Sequence, residues 1–255
     1  MIITFLGTGT SQGVPVIACD CEVCTSADKH DKRLRSSIMV ESEGKVIVVD
    51  SGPDFRYQML RAHVTHLDAI VFTHEHKDHV AGLDDIRAFN YKQQSAIDIY
   101  ATERVQAALK REFAYIFHEF KYPGIPQVDL HTIDDRHSFN IGRVHITPIE
   151  AMHYKLPVLG FRIGDFTYIT DAKTITDTEI EKIKGTKILV INALQKENHI
   201  SHFTLSEAIA FAQQIGAEQT YFTHISHRLG KHQDVSQLLP AGIYLAYDGL
   251  RLDLE

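Results

Sequence analysis

The stretch Asp68-Ala69-Ile70-Val71-Phe72-Thr73-His74-Glu75-His76-Lys77-Asp78-His79-Val80 decides how this chain is read. Its first five residues are a short β-branched and aromatic run, the pattern of a buried strand. After it, Val80, Leu83, Ile86 and Phe89 recur at near-threefold spacing, which predicts a helix beginning near Val80. His74, His76, Asp78 and His79 therefore fall where a strand ends and a helix begins, and an irregular loop there can turn several side chains toward one point. Imidazole and carboxylate together suit Zn²⁺, Mn²⁺ or Fe²⁺, and a carboxylate can hold or bridge a second ion. Four ligand-capable groups in six residues point to a metal site rather than a solvated polar loop.

The rest of the chain agrees with a metal reading. Sixteen histidines occur in 255 residues, and they cluster. The three cysteines, Cys19, Cys21 and Cys24, lie within six residues on a Gly/Pro-flanked loop. An odd count at such spacing makes a poor disulfide framework and sets the expectation of a reducing, cytoplasmic setting. Such a loop can wrap three thiolates around one zinc, which leaves a tetrahedral ion one ligand short. Hydrophobic residues at 44% and charged residues at 23% are an ordinary globular balance. No apolar run approaches the ~20 residues of a membrane span, so no membrane association is expected. The opening Met1–Thr10 lacks a basic region and a cleavage-like site, so no secretory signal is expected. The net charge of −7 and the lack of a basic block argue against a nucleic-acid partner, though not against a small phosphate held by metals.

Further strand-sized runs are Ile2–Leu6, Ile38–Glu41, Val46–Val49, Ile97–Tyr100 and Val144–Pro148 in the first part of the chain. Val158–Ile163, Phe166–Ile169, Lys187–Ile191, Thr220–Thr223 and Ile243–Ala246 continue the series. Phe161–Tyr168 reads as a hairpin turning at Gly164-Asp165. A helical pattern runs from about Glu103 to Phe117. A sharper one runs from Thr204 to about Ile215, opening with the capping box Thr204-Leu-Ser-Glu207 and stopping at Gly216. No linker divides the chain, so residues 1–255 are expected to form a single domain. Two β-rich halves with helices predict an α/β or α+β sandwich with sheets inside and helices outside.

His-x-His-x-Asp-His at His74, His76, Asp78 and His79 resembles the signature of the metallo-β-lactamase superfamily. The resemblance runs in order through the chain, by way of Val48-Val49-Asp50-Ser-Gly52, His153, Asp171 in Tyr168-Ile-Thr-Asp171, and His224 in Tyr221-Phe-Thr-His224. It implies an αββα four-layer sandwich of two mixed sheets flanked by helices. It also implies a binuclear centre of Mn²⁺ or Zn²⁺: His74, His76 and His153 at one ion, Asp78, His79 and His224 at the other, Asp171 joining them, and Asp50 behind the ligands. Phe5-Leu-Gly-Thr-Gly-Thr10, Gly13-Val-Pro15 and Arg35-Ser-Ser37 are similar to the branch containing tRNA 3′-processing endonucleases and phosphodiesterases. The cysteine loop resembles that of the phosphoribosyl cyclic phosphate phosphodiesterases. That likeness implies a structural zinc on Cys19, Cys21, Cys24 and His227; spacing alone does not choose His227 over His232.

By the same resemblance His202, just before the capped helix, contacts phosphate and protonates the leaving group, with Asp78 and Asp171 the other catalytic residues and His199 the rival to His202. A helix N-terminus nearby favours an anion. The implied activity is a metal-dependent phosphodiesterase opening small cyclic phosphate esters by attack of hydroxide held between the metals. The alternatives are a tRNA 3′-processing endonuclease and a non-catalytic metal-binding protein. The implied partner is a small phosphate ester, and relatives suggest a homodimer.

Overall fold

The computed structural model describes residues 1–118 and 122–254. Its strands are β1 (Ile2–Gly7), β2 (Ser37–Ser42), β3 (Lys45–Val49), β4 (Ala69–Val71), β5 (Ile97–Ala101), β6 (Val128–Thr132) and β7 (Phe139–Ile141), then β8 (Val144–His153), β9 (Leu156–Ile163), β10 (Phe166–Tyr168), β11 (Ile188–Asn192), β12 (Gln219–Thr223), β13 (Ile243–Leu245) and β14 (Arg251–Asp253). The helices are α1 (Phe55–Arg61), α2 (Lys77–Val80), α3 (Arg87–Gln93), α4 (Glu103–Glu112), α5 (Ala114–Phe117), α6 (Asp177–Ile183), α7 (Leu205–Ile215) and α8 (His232–Ser236).

Alternation along the strands creates the layers. In β3, Ile47 and Val49 point one way, toward Phe5, Phe161 and Phe166, while Val48 points the other way toward Phe55, Val80 and Leu83. In β11, Val190 faces the core between the sheets, whereas Leu189 and Ile191 face Ala208, Phe211 and Ile183 of the helices. Period-2 side chains that are apolar on both faces belong to sheets covered on both sides. The result is the expected αββα sandwich. One sheet runs β14-β1-β2-β3-β4-β5-β6 and the other β13-β12-β11-β10-β9-β8-β7. Each is mixed: β3 to β6 are parallel, as are β10 to β13, and the remaining neighbours are antiparallel.

Several sequence expectations change here. The helix expected over 103–117 breaks at Phe113, whose φ −117°, ψ 44° lies outside the helical region, giving α4 and α5. The one expected from Val80 becomes α2, a 3₁₀ turn over Leu83–Ile86, and α3. Gly82 explains the interruption, since a Cβ there would lie 2.1 Å from the Gly52 carbonyl oxygen. Strand β8 runs on through Pro148 to His153. Pro148 lies past the end of β7, whose pairing stops at Ile146, so one side of β8 has no partner strand there. Strands β6, β7 and β14 were not anticipated. They are short or half-exposed, and polar or charged residues between their few apolar ones hide the signal. The hairpin at Gly164-Asp165 and the capped helix α7 stand as expected, with both halves of the capping box formed.

Candidate metal centre and active site

The parallel strands end on one rim, and the chemistry collects there, as it does in open α/β sheets generally. Asp50 follows β3 directly, His74 lies three residues past the end of β4, Asp171 three past the end of β10, and His224 follows β12 directly. Asp50, Asp171 and His224 have φ of 65°, 58° and 55°. Non-glycine residues rarely take that left-handed conformation, and it marks sites where geometry is held at some cost. Gly52 lets the loop after β3 touch the ligand loop, because a Cβ there would lie 2.0 Å from the Asp78 carbonyl oxygen.

The side chains converge. Donor atoms of His74, His79 and Asp171 lie within 4.8 Å of one another; so do those of Asp78, His79 and His224, and those of His153, Asp171 and His202. Because His79 and Asp171 are each shared, the three groups form one continuous cluster. His76 joins none of them, although its ring stands 4.6 Å from that of His74 and 5.2 Å from that of His153. His202, placed outside the ligand set by the sequence reading, stands among the ligands. Its Nδ1 is 3.8 Å from Asp171, and its ring is 4.5 Å from that of His153 and 4.9 Å from that of His224. His199 lies further out, with its Nδ1 taken up by the Ser201 amide at 3.3 Å.

Hydrogen bonds behind the cluster set the tautomers. The His79 Nδ1–H donates to Asp50 at 2.7 Å, and the His153 Nδ1–H donates to the Ser201 carbonyl at 3.0 Å. The Thr73 hydroxyl donates to Asp50 at 2.8 Å and accepts from the His74 Nδ1–H at 2.9 Å. These bonds turn the Nε2 atoms of His74 and His79 inward, where that of His74 is buried without a hydrogen-bond partner and that of His79 faces the carboxylates of Asp78 at 3.1 Å and Asp171 at 3.2 Å. Buried polar atoms without partners are costly. Imidazoles fixed through one nitrogen with the other left bare are the arrangement that metal ligands use. The residues therefore fit divalent metal ions. Sequence reasoning singled out Asp50 but missed Thr73, adjacent to His74 and linking it to Asp50.

Electrostatics follow the packing. Burial alone would raise Asp78 and Asp171, yet the neighbouring histidine charges, His79 beside Asp78 and His224 with His79 beside Asp171, hold both below the usual carboxylate range. Burial alone would lower His79, but Asp78, Asp171 and Asp50 hold it well above the usual histidine value. Burial pushes His74 and His224 down, and His202 down to about 2. Such opposed shifts in one cluster mark functional sites.

A second cluster lies outside the rim. The Sγ atoms of Cys19, Cys21 and Cys24 stand 3.3, 3.4 and 3.5 Å from the His227 Nδ1. Three sulfurs and one imidazole in that arrangement suit a tetrahedral zinc. The Val16 amide donates to Cys24 and the Cys24 amide to Cys21. Led by that second bond and then by His227, Cys21 falls to about 6. His232 is elsewhere, stacked on His30 at 4.9 Å and 3.1 Å from the Arg33 guanidinium.

Residues 45–225 match the family model described as the beta-lactamase superfamily domain. The chain belongs to the beta-lactamase superfamily. Its four-layer architecture is the metallo-β-lactamase fold. A solved structure described as a new diphosphatase from the PhnP family is 41% identical, covers 100% of this chain and 98% of its own, and superposes with a TM-score of 0.93, which places the chain in that family. Human tRNase Z, short form, shares the fold at 20% identity, with both chains covered in full and a TM-score of 0.71. A curated relative, the octanoyltransferase of Porphyromonas gingivalis, is 40% identical over 252 residues, 98% of this chain but 51% of the relative. The chain thus spans about half the length of that protein. No helix among the described residues is long and apolar enough to cross a membrane.

Proposed function

We propose that this metallo-β-lactamase-fold hydrolase cleaves small phosphate esters, with five-membered cyclic phosphodiesters among its best substrates. The observation that carries the reading is the inward-facing nitrogens of His74 and His79 sharing one cluster with Asp78, Asp171, His153 and His224. A binuclear set of Mn²⁺ or Zn²⁺ would be held by His74, His76 and His153 on one side and Asp78, His79 and His224 on the other, with Asp171 between. When bound, divalent ions there acidify water and supply positive charge to the reacting phosphate.

The protein's own groups do the rest. Asp50 and Thr73 keep the imidazoles in the ligand tautomer. Asp171 holds its place through the Thr170 hydroxyl, which donates to it at 2.7 Å. His202 borders the cluster two residues before the N-cap of α7, so a phosphate held at the cluster meets it near the positive end of that helix. Burial keeps His202 neutral in the free protein. A phosphate beside it brings the negative charge that raises its proton affinity, so His202 gains its acid form with substrate in place and can protonate the departing oxygen.

A second reading, hydrolysis of a diphosphate, is favoured by the likeness to the PhnP-family diphosphatase. It asks the same cluster to attack phosphorus with a phosphate as leaving group. The endonuclease reading draws on a shared fold at 20% identity, and the net charge of −7 counts against a long polyanion. The test is the purified, metal-analysed protein against cyclic phosphodiesters, linear phosphodiesters, diphosphates and precursor tRNA. Turnover concentrated on the small cyclic esters supports the proposal. Diphosphates cleaved in preference favour the second reading, and precursor tRNA cleaved alone overturns both.

A further inference from the structure

The hairpin that delivers His153 to the cluster carries an unexplained residue at its tip. His153 of β8 pairs with Leu156 of β9, so Tyr154 and Lys155 form a two-residue turn. Such turns need positive φ, which Asn and Gly supply cheaply. Here a tyrosine takes it, at φ 57°. For a bulky aromatic that is a costly conformation. No packing repays it, since Tyr154 is 53% exposed. The Lys155 ammonium stands 5.3 Å from the centroid of its ring, and about half of the residue stays open to solvent. Across His153 lies Ile200, 64% exposed, beside the Ser201 carbonyl that orients that histidine. A strained, exposed aromatic, an adjacent cation and a second exposed apolar side chain are thus the chain neighbours of His153 and Ser201, whose hydrogen bond orients His153 in the cluster.

We propose that Tyr154 is a substrate-binding residue whose exposed ring stacks on the flat heteroaromatic ring of a mononucleotide-sized phosphate ester, with Ile200 bordering the ring and Lys155 beside it for remaining negative charge. The inference rests on the phosphate-ester reading above and narrows it to substrates bearing a nucleobase. Strain at a position without structural benefit is where a functional demand is expected. Stacking on an aromatic side chain recognises a planar ring largely irrespective of its hydrogen-bonding edge.

The test compares adenosine 2′,3′-cyclic phosphate with glycerol 1,2-cyclic phosphate, which has the same reacting ring and no base, in the wild-type, Tyr154→Phe and Tyr154→Gly proteins. Tyr154→Gly should raise KM for the adenosine ester by roughly 5- to 150-fold, the span of one base–aromatic stack, and leave the glycerol ester unchanged. Tyr154→Phe should behave as wild type. Because glycine accepts the left-handed turn, the Gly variant should unfold at the same or a higher temperature. Equal effects on both esters, or none on either, overturn the proposal. Calorimetric binding of adenosine monophosphate against inorganic phosphate separates the two failures. A Tyr154-dependent preference for the nucleotide in a protein that hydrolyses neither ester upholds the platform and refutes the reaction, whereas no preference refutes the platform. Tighter Tyr154-dependent binding of a short RNA oligonucleotide than of the mononucleotide overturns the assignment to a small ligand.

Discussion

At the scale of single residues, metal binding depends on which nitrogen each histidine presents. Asp50 is fully buried and holds His79 by its Nδ1–H, so Asp50→Asn keeps the shape while weakening the acceptor that fixes the tautomer. Such a change behind a ligand should lower metal affinity by roughly 10- to 100-fold while thermal unfolding of the metal-free protein stays near the parent's. Metal titration of the variant checks this, and unchanged affinity would remove Asp50 from its role. For His202 the expectation is a rate loss of roughly 10²–10⁴-fold on substitution by Ala, the usual range for a general acid. The loss should shrink for nitrophenyl esters, which depart without a proton. Since His202 stands within ligand distance of Asp171 and His153, metal content must be measured in the same sample. A lost ion would make it a ligand rather than an acid.

At the scale of elements, the segment after β12 links the two clusters. His224 belongs to the rim and His227, three residues on, opens a 3₁₀ turn facing the cysteine loop. Cys21→Ser should therefore lower the unfolding temperature and zinc content, because structural zinc contributes its binding energy to folding. Stability and zinc equal to the parent's would contradict a structural metal. Thr204→Ala, which removes the side-chain hydrogen bonds to Ser206 and Glu207 at the head of α7, should cost about 1 kcal/mol in denaturant unfolding. These elements also show what was legible in the sequence. The α7 cap, the strand before His74 and the hairpin at Gly164 are local devices, readable from adjacent residues. The break at Phe113 and the interruption at Gly82 depend on packing across the chain, where Gly82 meets Gly52, and no local pattern encodes that. For the site, the loop from His74 to His79 declared itself through spacing. Asp50, His153, Asp171 and His224 came from family resemblance, because nothing in their local sequence requires them to meet. Thr73 and the position of His202 among the ligands needed the folded chain.

At the scale of the whole molecule, two seven-stranded sheets bury a shared core and bring the ends of their parallel strands to one rim. Metal-free protein concentrates buried histidines there, and pH should act on it strongly. His74 and His224 are pushed down by burial, His202 falls to about 2, and His232, desolvated and beside Arg33, falls to about 4. Between about pH 6.5 and these lower values the unfolded chain binds protons that the folded chain refuses, so stability falls as pH falls. His79 acts oppositely, its contribution being present below about pH 6.5 and lost only as pH rises through its elevated value. Burial raises Asp50 and Asp248 in the same sense as His79, but carboxylates ordinarily titrate below this range and the lowered histidines outnumber the raised one, so the unfolding temperature of chelator-treated protein should drop from pH 7 to pH 5. A flat or rising profile would mean that His74, His202, His224 and His232 are not held neutral as described.

The central claim, a two-ion centre that hydrolyses phosphate esters, meets its most direct test in titrating Mn²⁺ into protein whose rim has been stripped of metal, while turnover of a five-membered cyclic phosphodiester is followed. Zinc bound by the cysteine cluster is quantified in parallel. Activity should rise from near zero to a plateau at two equivalents per chain beyond that zinc, and Asp171→Ala should stay inactive throughout with its fold intact. Full turnover after exhaustive removal of the rim metals, or no hydrolysis of any phosphate ester at any loading, would contradict it.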